Sequence, residues 1–110
     1  MIKFSLDAKA REHLERATAA SAGRSSETVY GGHENVLRQT VIALAAGNSL
    51  AEHENPGEAT VLVLRGRVRL SSGENSWEGR TGDMIAVTGA RHSLEAVEDC
   101  AVLLTVGVHR

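Results

Sequence analysis

Gly47-Asn48-Ser49-Leu50-Ala51-Glu52-His53-Glu54-Asn55-Pro56-Gly57-Glu58-Ala59-Thr60-Val61-Leu62-Val63-Leu64-Arg65-Gly66 runs from a glycine to a histidine, turns at Pro56-Gly57, and leaves through a Val- and Leu-rich stretch to another glycine. A second segment, Gly82-Asp83-Met84-Ile85-Ala86-Val87-Thr88-Gly89-Ala90-Arg91-His92-Ser93-Leu94, repeats that order: glycine, short apolar run, turn, histidine. Ala59–Leu64 has the composition of a buried strand. Met84–Val87 and His92–Ala96 read as short strands on either side of a turn at Thr88-Gly89-Ala90.

Working outward, Leu37–Leu44 alternates, with Thr40, Ile42 and Leu44 on one face and Gln39, Val41 and Ala43 on the other. Val68 and Leu70 alternate with Arg67 and Arg69, Ser72-Gly73-Glu74-Asn75 is a turn, Trp77-Glu78 a short strand, and Arg80-Thr81-Gly82-Asp83 another turn. Ala101–Val108 closes with a long apolar strand. About seven strands separated by regular turn signals predict an all-β sandwich or barrel. Residues 5–22 differ: they are rich in Ala, Glu, Lys and Arg and free of Gly and Pro, which predicts a helix capped by Ser5 and stopped at Gly23. Its thin stripe of Leu6, Ala10, Leu14 and Ala17 needs cover from a larger surface or from a second subunit. Residues 23–36 read as loop or irregular edge. The domain reading is a helix-and-loop extension over 1–36 and a barrel over 37–110, together one structural domain.

The two glycine-to-histidine segments resemble the paired signature motifs of the cupin superfamily. Gly47, His53 and Gly66 match the first motif in register, and Gly82-Asp83 and His92 match the second with one residue fewer between them. The resemblance implies a double-stranded β-helix, that is, a jelly-roll barrel of the RmlC-like type with the helix added at its N-terminus. It also implies a homodimer. Cupins that bind metal typically take two histidines and a glutamate from the first motif and one histidine from the second. Here His53 and His92 stand in place, Asn55 replaces the second histidine, and the glutamate position falls on Ala59 with Glu58 one residue earlier. One residue along a strand is the opposite face. A metal at His53 and His92 would therefore need Glu58, Glu54 or Glu52 to turn inward, or His33 from the Gly31-Gly32-His33-Glu34 segment.

Two functions follow. One is small-molecule binding in the barrel, with His53, Asn55, His92 and Gln39 supplying polar contacts and no cofactor required. The other is a divergent metal-dependent enzyme of dioxygenase or isomerase type, with His53 and His92 holding a divalent iron, zinc, manganese or nickel ion. The sequence leaves the question of catalysis open.

The rest of the composition narrows the field. The chain has 110 residues, 12 basic and 14 acidic, with a net charge of -2, which disfavours a nucleic-acid binder. Aromatics are 3%, too few for a base-stacking platform. A single cysteine, Cys100, allows no internal disulfide, and its acidic neighbours Glu98 and Asp99 argue against an activated thiol. No apolar run approaches the ~20 residues of a membrane helix. No signal-like run follows Met1-Ile2-Lys3-Phe4-Ser5, so a cytoplasmic location is expected. Arg65, Arg67 and Arg69 share one face, either as an anion-attracting stripe or as a solvated sheet face. One of Arg38 and Gln39 must face inward. His13 and His109 are expected at the surface.

Overall fold

The computed structural model describes residues 1–53, 57–88 and 91–108, and for residues 52, 53, 57, 88 and 108 the backbone alone. The segments of sequence that carry Glu54, Asn55, Pro56, Gly89, Ala90, His109 and Arg110 lie outside the described residues.

One helix precedes nine strands. Helix α1 (Leu6–Ala19) is followed by β1 (Arg24–Gly31), β2 (Leu37–Leu44), β3 (Ser49–His53), β4 (Gly57–Arg65), β5 (Arg67–Ser72), β6 (Asn75–Arg80), β7 (Met84–Thr88), β8 (His92–Ala96) and β9 (Cys100–Val108). They form two antiparallel sheets, one ordered β1-β2-β9-β4-β7 and the other β3-β8-β5-β6. The expected jelly roll is therefore present, and among the described residues no helix is long and apolar enough to cross a membrane.

The helix starts as expected. The Ser5 hydroxyl accepts from the Ala8 N–H at 3.2 Å, and Asp7 sits in the first turn beside the positive end of the dipole. It ends at Ala19, before the predicted stop at Gly23, because the chain must turn down into β1. Gly23 makes that turn at a φ of +69°, where a β-carbon would lie 2.4 Å from the Asn48 amide nitrogen. The alanine stripe packs on the chain's own five-stranded sheet: Ala10 and Ala17 meet Ala43 and Ala101, with Leu14 and Leu64 at the margin. Small residues on both sides let the helix lie close.

Residues 24–31 form a strand, not the expected loop. β1 is an edge strand rich in Ser, Thr and Glu, and no sheet faces its inner side, so it lacks the apolar alternation that marks a covered strand. The main core lies between the sheets. Ile42, Leu44, Val61, Val63, Val102 and Val106 from one sheet meet Val68, Leu70, Leu94 and Ala96 from the other.

Candidate functional site

Strand register arranges the inner face of the four-stranded sheet in rows. Leu94 pairs with Leu70, which pairs with Trp77; Ala96 pairs with Val68, which pairs with Gly79. The row beyond Leu94, Leu70 and Trp77 is polar. Ser72 pairs with Asn75, and continuing the β5–β8 register by one residue brings His92 level with Ser72. The Ser72 hydroxyl donates to the Arg91 carbonyl at 2.8 Å, which ties β5 to β8 at that level. His92 is 3% exposed.

His53 is the register partner of His92 across the β3–β8 ladder. Simple alternation from Leu50 would put residue 53 on the other face. An irregularity between Leu50 and His53 adds one residue to β3 and brings position 53 level with His92. The backbone thus places the two sequence-predicted histidine positions opposite each other. The side chain of His53, and Asn55 as a whole, lie outside the description.

The facing sheet presents rows that are apolar except for Arg38 at the end of one. Val87 pairs with Ala59, Ala59 with Val106, and Val106 with Arg38. Ile85, Val61 and Leu104 form the next row. Ala59, at the carboxylate position of the resembled motif, is buried in that inner row, while Glu58 is exposed on the outward face of β4. Glu58 is thus not brought to the inner face. His33 is exposed in the turn between β1 and β2. Gln39 lies on the helix-covered face, where its amide donates to the Thr105 hydroxyl at 3.2 Å, so it does not reach the barrel interior. Its neighbour Arg38 takes the inner face, sharing it with Thr40, Ile42 and Leu44, because the core side of β2 falls on the even positions.

Between the sheets, toward their free edges β6 and β7, lies a cavity of about 520 Å³. Leu70, Trp77, Ile85 and Val87 give it apolar walls, and Ser72, Asn75 and His92 give it a polar end. Met84 and Ala86, from the outward side of β7, also line it, so the cavity opens around that edge. Met84 is 63% exposed and Trp77 49% exposed at this opening. The opening is possible because β6 and β7 are both terminal strands of their sheets. Where they do close, Gly79 allows it: a β-carbon there would sit 3.2 Å from Val63 Cγ2 and 3.3 Å from Ile85 Cδ1.

Sequence reasoning did not select Ser72, Asn75 or Trp77 as site residues. The alternation Val68-Leu70-Ser72 already put Ser72 on the core face, but reading Ser72–Asn75 as one turn hid the pairing across a tighter turn at Gly73-Glu74. His13 is a second miss. It is 2% exposed between α1 and β1, with Nδ1 2.7 Å from Ser25 Oγ and Nε2 2.9 Å from Glu27 Oε1. The three arginines do not share one face: Arg65 ends β4 in the five-stranded sheet and pairs with Asp7 of the helix, whereas Arg67 and Arg69 lie on β5 in the other sheet, Arg69 pairing with Glu95 at 3.0 Å and Arg67 lying 3.6 and 3.7 Å from Glu78 and Glu98.

The fit to a resident metal follows from the donors. Among the described residues no group of three His, Cys, Asp or Glu side chains could hold an ion. His92 supplies one imidazole, and the row that a carboxylate would complete holds Ala59. Among the described residues that donor set falls short of the three or four protein ligands usual for zinc or iron, and the side chain at position 53 lies outside them.

Solved structures carry the same architecture. A conserved protein of unknown function from Streptococcus pyogenes superposes with a TM-score of 0.74 at 27% identity, covering 83% of this chain and 79% of its own. A cupin superfamily protein from Desulfitobacterium hafniense gives 0.72 at 16% identity over 78% of each chain. The chain has the cupin fold. An RmlC-like cupin family protein from Methanocaldococcus jannaschii, with a double-stranded β-helix, matches at 0.70 and 11% identity over 78% of this chain and 81% of that one. No protein-family model matches the chain, and no curated protein matches it in sequence. The fold alone does not set the function; the side chains that line the cavity do.

Proposed function

We propose that this chain is a cytoplasmic cupin-fold protein that binds a small molecule inside its barrel. The observation that carries the reading is the cavity of about 520 Å³, with apolar walls and the buried His92 at its polar end. Pockets of this size, mostly apolar with a few convergent polar groups, are the usual form of a ligand site. Nile red, an uncharged apolar dye, tests it. The dye binds saturably and one to one, and Ala86→Trp, which fills the opening from an exposed position, abolishes binding without lowering the melting temperature. Non-saturable binding, or equal binding to the filled variant, sinks the reading.

The second reading, a metal-dependent enzyme, draws on one observation: the register pairing of positions 53 and 92. Elemental analysis of the purified protein beside His53→Ala and His92→Ala decides it. Stoichiometric metal lost from both variants supports this reading, and no metal after incubation with iron, zinc, manganese or nickel ends it.

We also propose that two copies pair. β1 is one of the two edges of the larger sheet, and Tyr30, Val36 and Leu37 are 43%, 60% and 45% exposed at the end of the β1–β2 hairpin. Light scattering gives the mass of a dimer for the native chain and of a monomer for Leu37→Asp. A native monomer refutes pairing.

A further inference from the structure

The lining of the cavity also specifies the kind of molecule it takes, an inference that rests on the binding reading above. The polar groups contributed by Ser72, Asn75 and His92 stand in one row across three neighbouring strands. They are a hydroxyl, an amide and an imidazole, which exchange hydrogen bonds with a neutral partner. The next row, Leu70 and Trp77, is apolar, and so are Ile85 and Val87 on the opposite wall. Among the described residues polarity therefore changes once along the cavity, from one hydrogen-bonding end to an apolar body. Trp77 and Met84 are exposed at the edges of β6 and β7, and Asn75 is exposed at the polar end.

We infer that the cavity binds an uncharged amphipathic molecule with an apolar body and a single hydrogen-bonding end, the end seated on the Ser72–Asn75–His92 row and the body against Leu70, Trp77 and Ile85. The ligand enters sideways, between the edges of β6 and β7. A carboxylate or phosphate in the same pose loses hydration against apolar walls, and the hydroxyl of Ser72 and the amide of Asn75 carry no charge to offset that loss. A polyhydroxylated molecule meets hydrogen-bonding partners at one end only, and its remaining hydroxyls are buried against Leu70 and Ile85 without partners.

The chain's single tryptophan, Trp77, lines this cavity and is half-exposed, so its emission reports occupancy. The test titrates the intact protein with n-octanol, n-octanoate and myo-inositol at neutral pH, following Trp77 emission and, in parallel, calorimetric heat. The expected result is a saturable blue shift with n-octanol and binding of n-octanoate at least ~10-fold weaker, since an unpaired buried charge costs more than one decade in affinity. Ser72→Ala and Asn75→Leu, at strand ends outside the core, each weaken n-octanol several-fold with an unchanged circular dichroism spectrum. Tighter binding of n-octanoate, lost in Arg38→Ala, overturns the uncharged class and leaves the cavity reading intact. Binding of myo-inositol alone overturns the apolar body and likewise leaves the cavity. Failure of all three probes to bind overturns this inference, and with Nile red also unbound the cavity reading falls too.

Discussion

His13 Nε2 lies 2.9 Å from Glu27 Oε1, under a helix and against an edge strand, and Lys9 Nζ approaches the same carboxylate at 3.1 Å. The tautomer protonated at Nε2 donates to Glu27 and lets Nδ1 accept from the Ser25 hydroxyl, so the buried ring has both nitrogens satisfied. The hydrogen bonds from His13 and Lys9 hold the Glu27 carboxyl below its ordinary value of 4.5. A carboxyl with a depressed folded-state pKa stabilises the fold above its unfolded pKa, and that contribution is lost as pH falls through the depressed value. Glu27→Gln therefore melts a few degrees lower at neutral pH, and its gap to the native chain closes as pH falls below 4.5 and through the depressed value. Thermal melts of the two proteins across that range check the sign. A constant gap refutes the assignment.

His13→Ala removes both hydrogen bonds, to Ser25 and to Glu27, and leaves a hole beneath α1. The cost is about 2 kcal/mol, a fall of roughly 10 °C in melting temperature for a domain of this size. The far-ultraviolet spectrum at low temperature stays near that of the native chain, because the inter-sheet core does not include this residue.

The barrel was legible in the sequence because its inner strands carry continuous Val and Leu, and the two glycine-to-histidine segments supplied the topology. What escaped was set by tertiary context. β1 has no sheet over its inner face, so its Ser and Thr residues carried no apolar period. His13 looked like a surface residue because one polar side chain in an alanine-rich stripe does not reveal that Ser25 and Glu27 wait on the strand beneath. The face of Gln39 was fixed by its alternation with Ile42, and the candidate fell to the helix side once Ile42 proved to be core. Position 53 shows the reverse case: alternation alone misplaces it, and the extra residue in β3 restores it.

Ala59 tests how far the inner row has become apolar. It is 5% exposed between Val87 and Val106. Ala59→Glu puts a carboxyl there, and burial raises its pKa and disfavours the charge. The variant loses about 2–4 kcal/mol at neutral pH and recovers part of it on mild acidification, where the carboxyl is neutral. Denaturant titrations at two pH values measure this. An unchanged midpoint shows instead that position 59 reaches water or a positive partner.

Gly79 sets the distance between β6 and the opposite sheet. Gly79→Ala places a methyl 3.2 Å from Val63 Cγ2 and 3.3 Å from Ile85 Cδ1, so the lower backbone entropy of alanine is offset by crowding and stability stays within about 0.5 kcal/mol. Gly79→Val adds two more methyls to a closed seam and costs about 1–3 kcal/mol. Chemical denaturation of both variants checks the contrast. Equal stability of the two means that β6 moves outward freely, so that Gly79 does not set its distance from the opposite sheet.

Cys100 lies at the start of β9, with no exposed surface, packed in the inter-sheet core. Burial, with the Asp99 charge beside it, pushes the thiol up to about 11 from 9.0. The folded state therefore favours the neutral thiol, and stability is lost as pH rises above 9.0 toward 11. Cys100→Ala removes that dependence, so its melting temperature is flatter than that of the native chain over this range. In the native state Cys100 resists iodoacetamide at neutral pH and reacts fully only in denaturant, because it is both protonated and covered. Mass spectrometry of timed alkylation reads this directly. Rapid native labelling would show that the Ala45–Asn48 turn and β9 separate locally, and β2, paired with β9 from Leu44–Cys100 onward, would then open first.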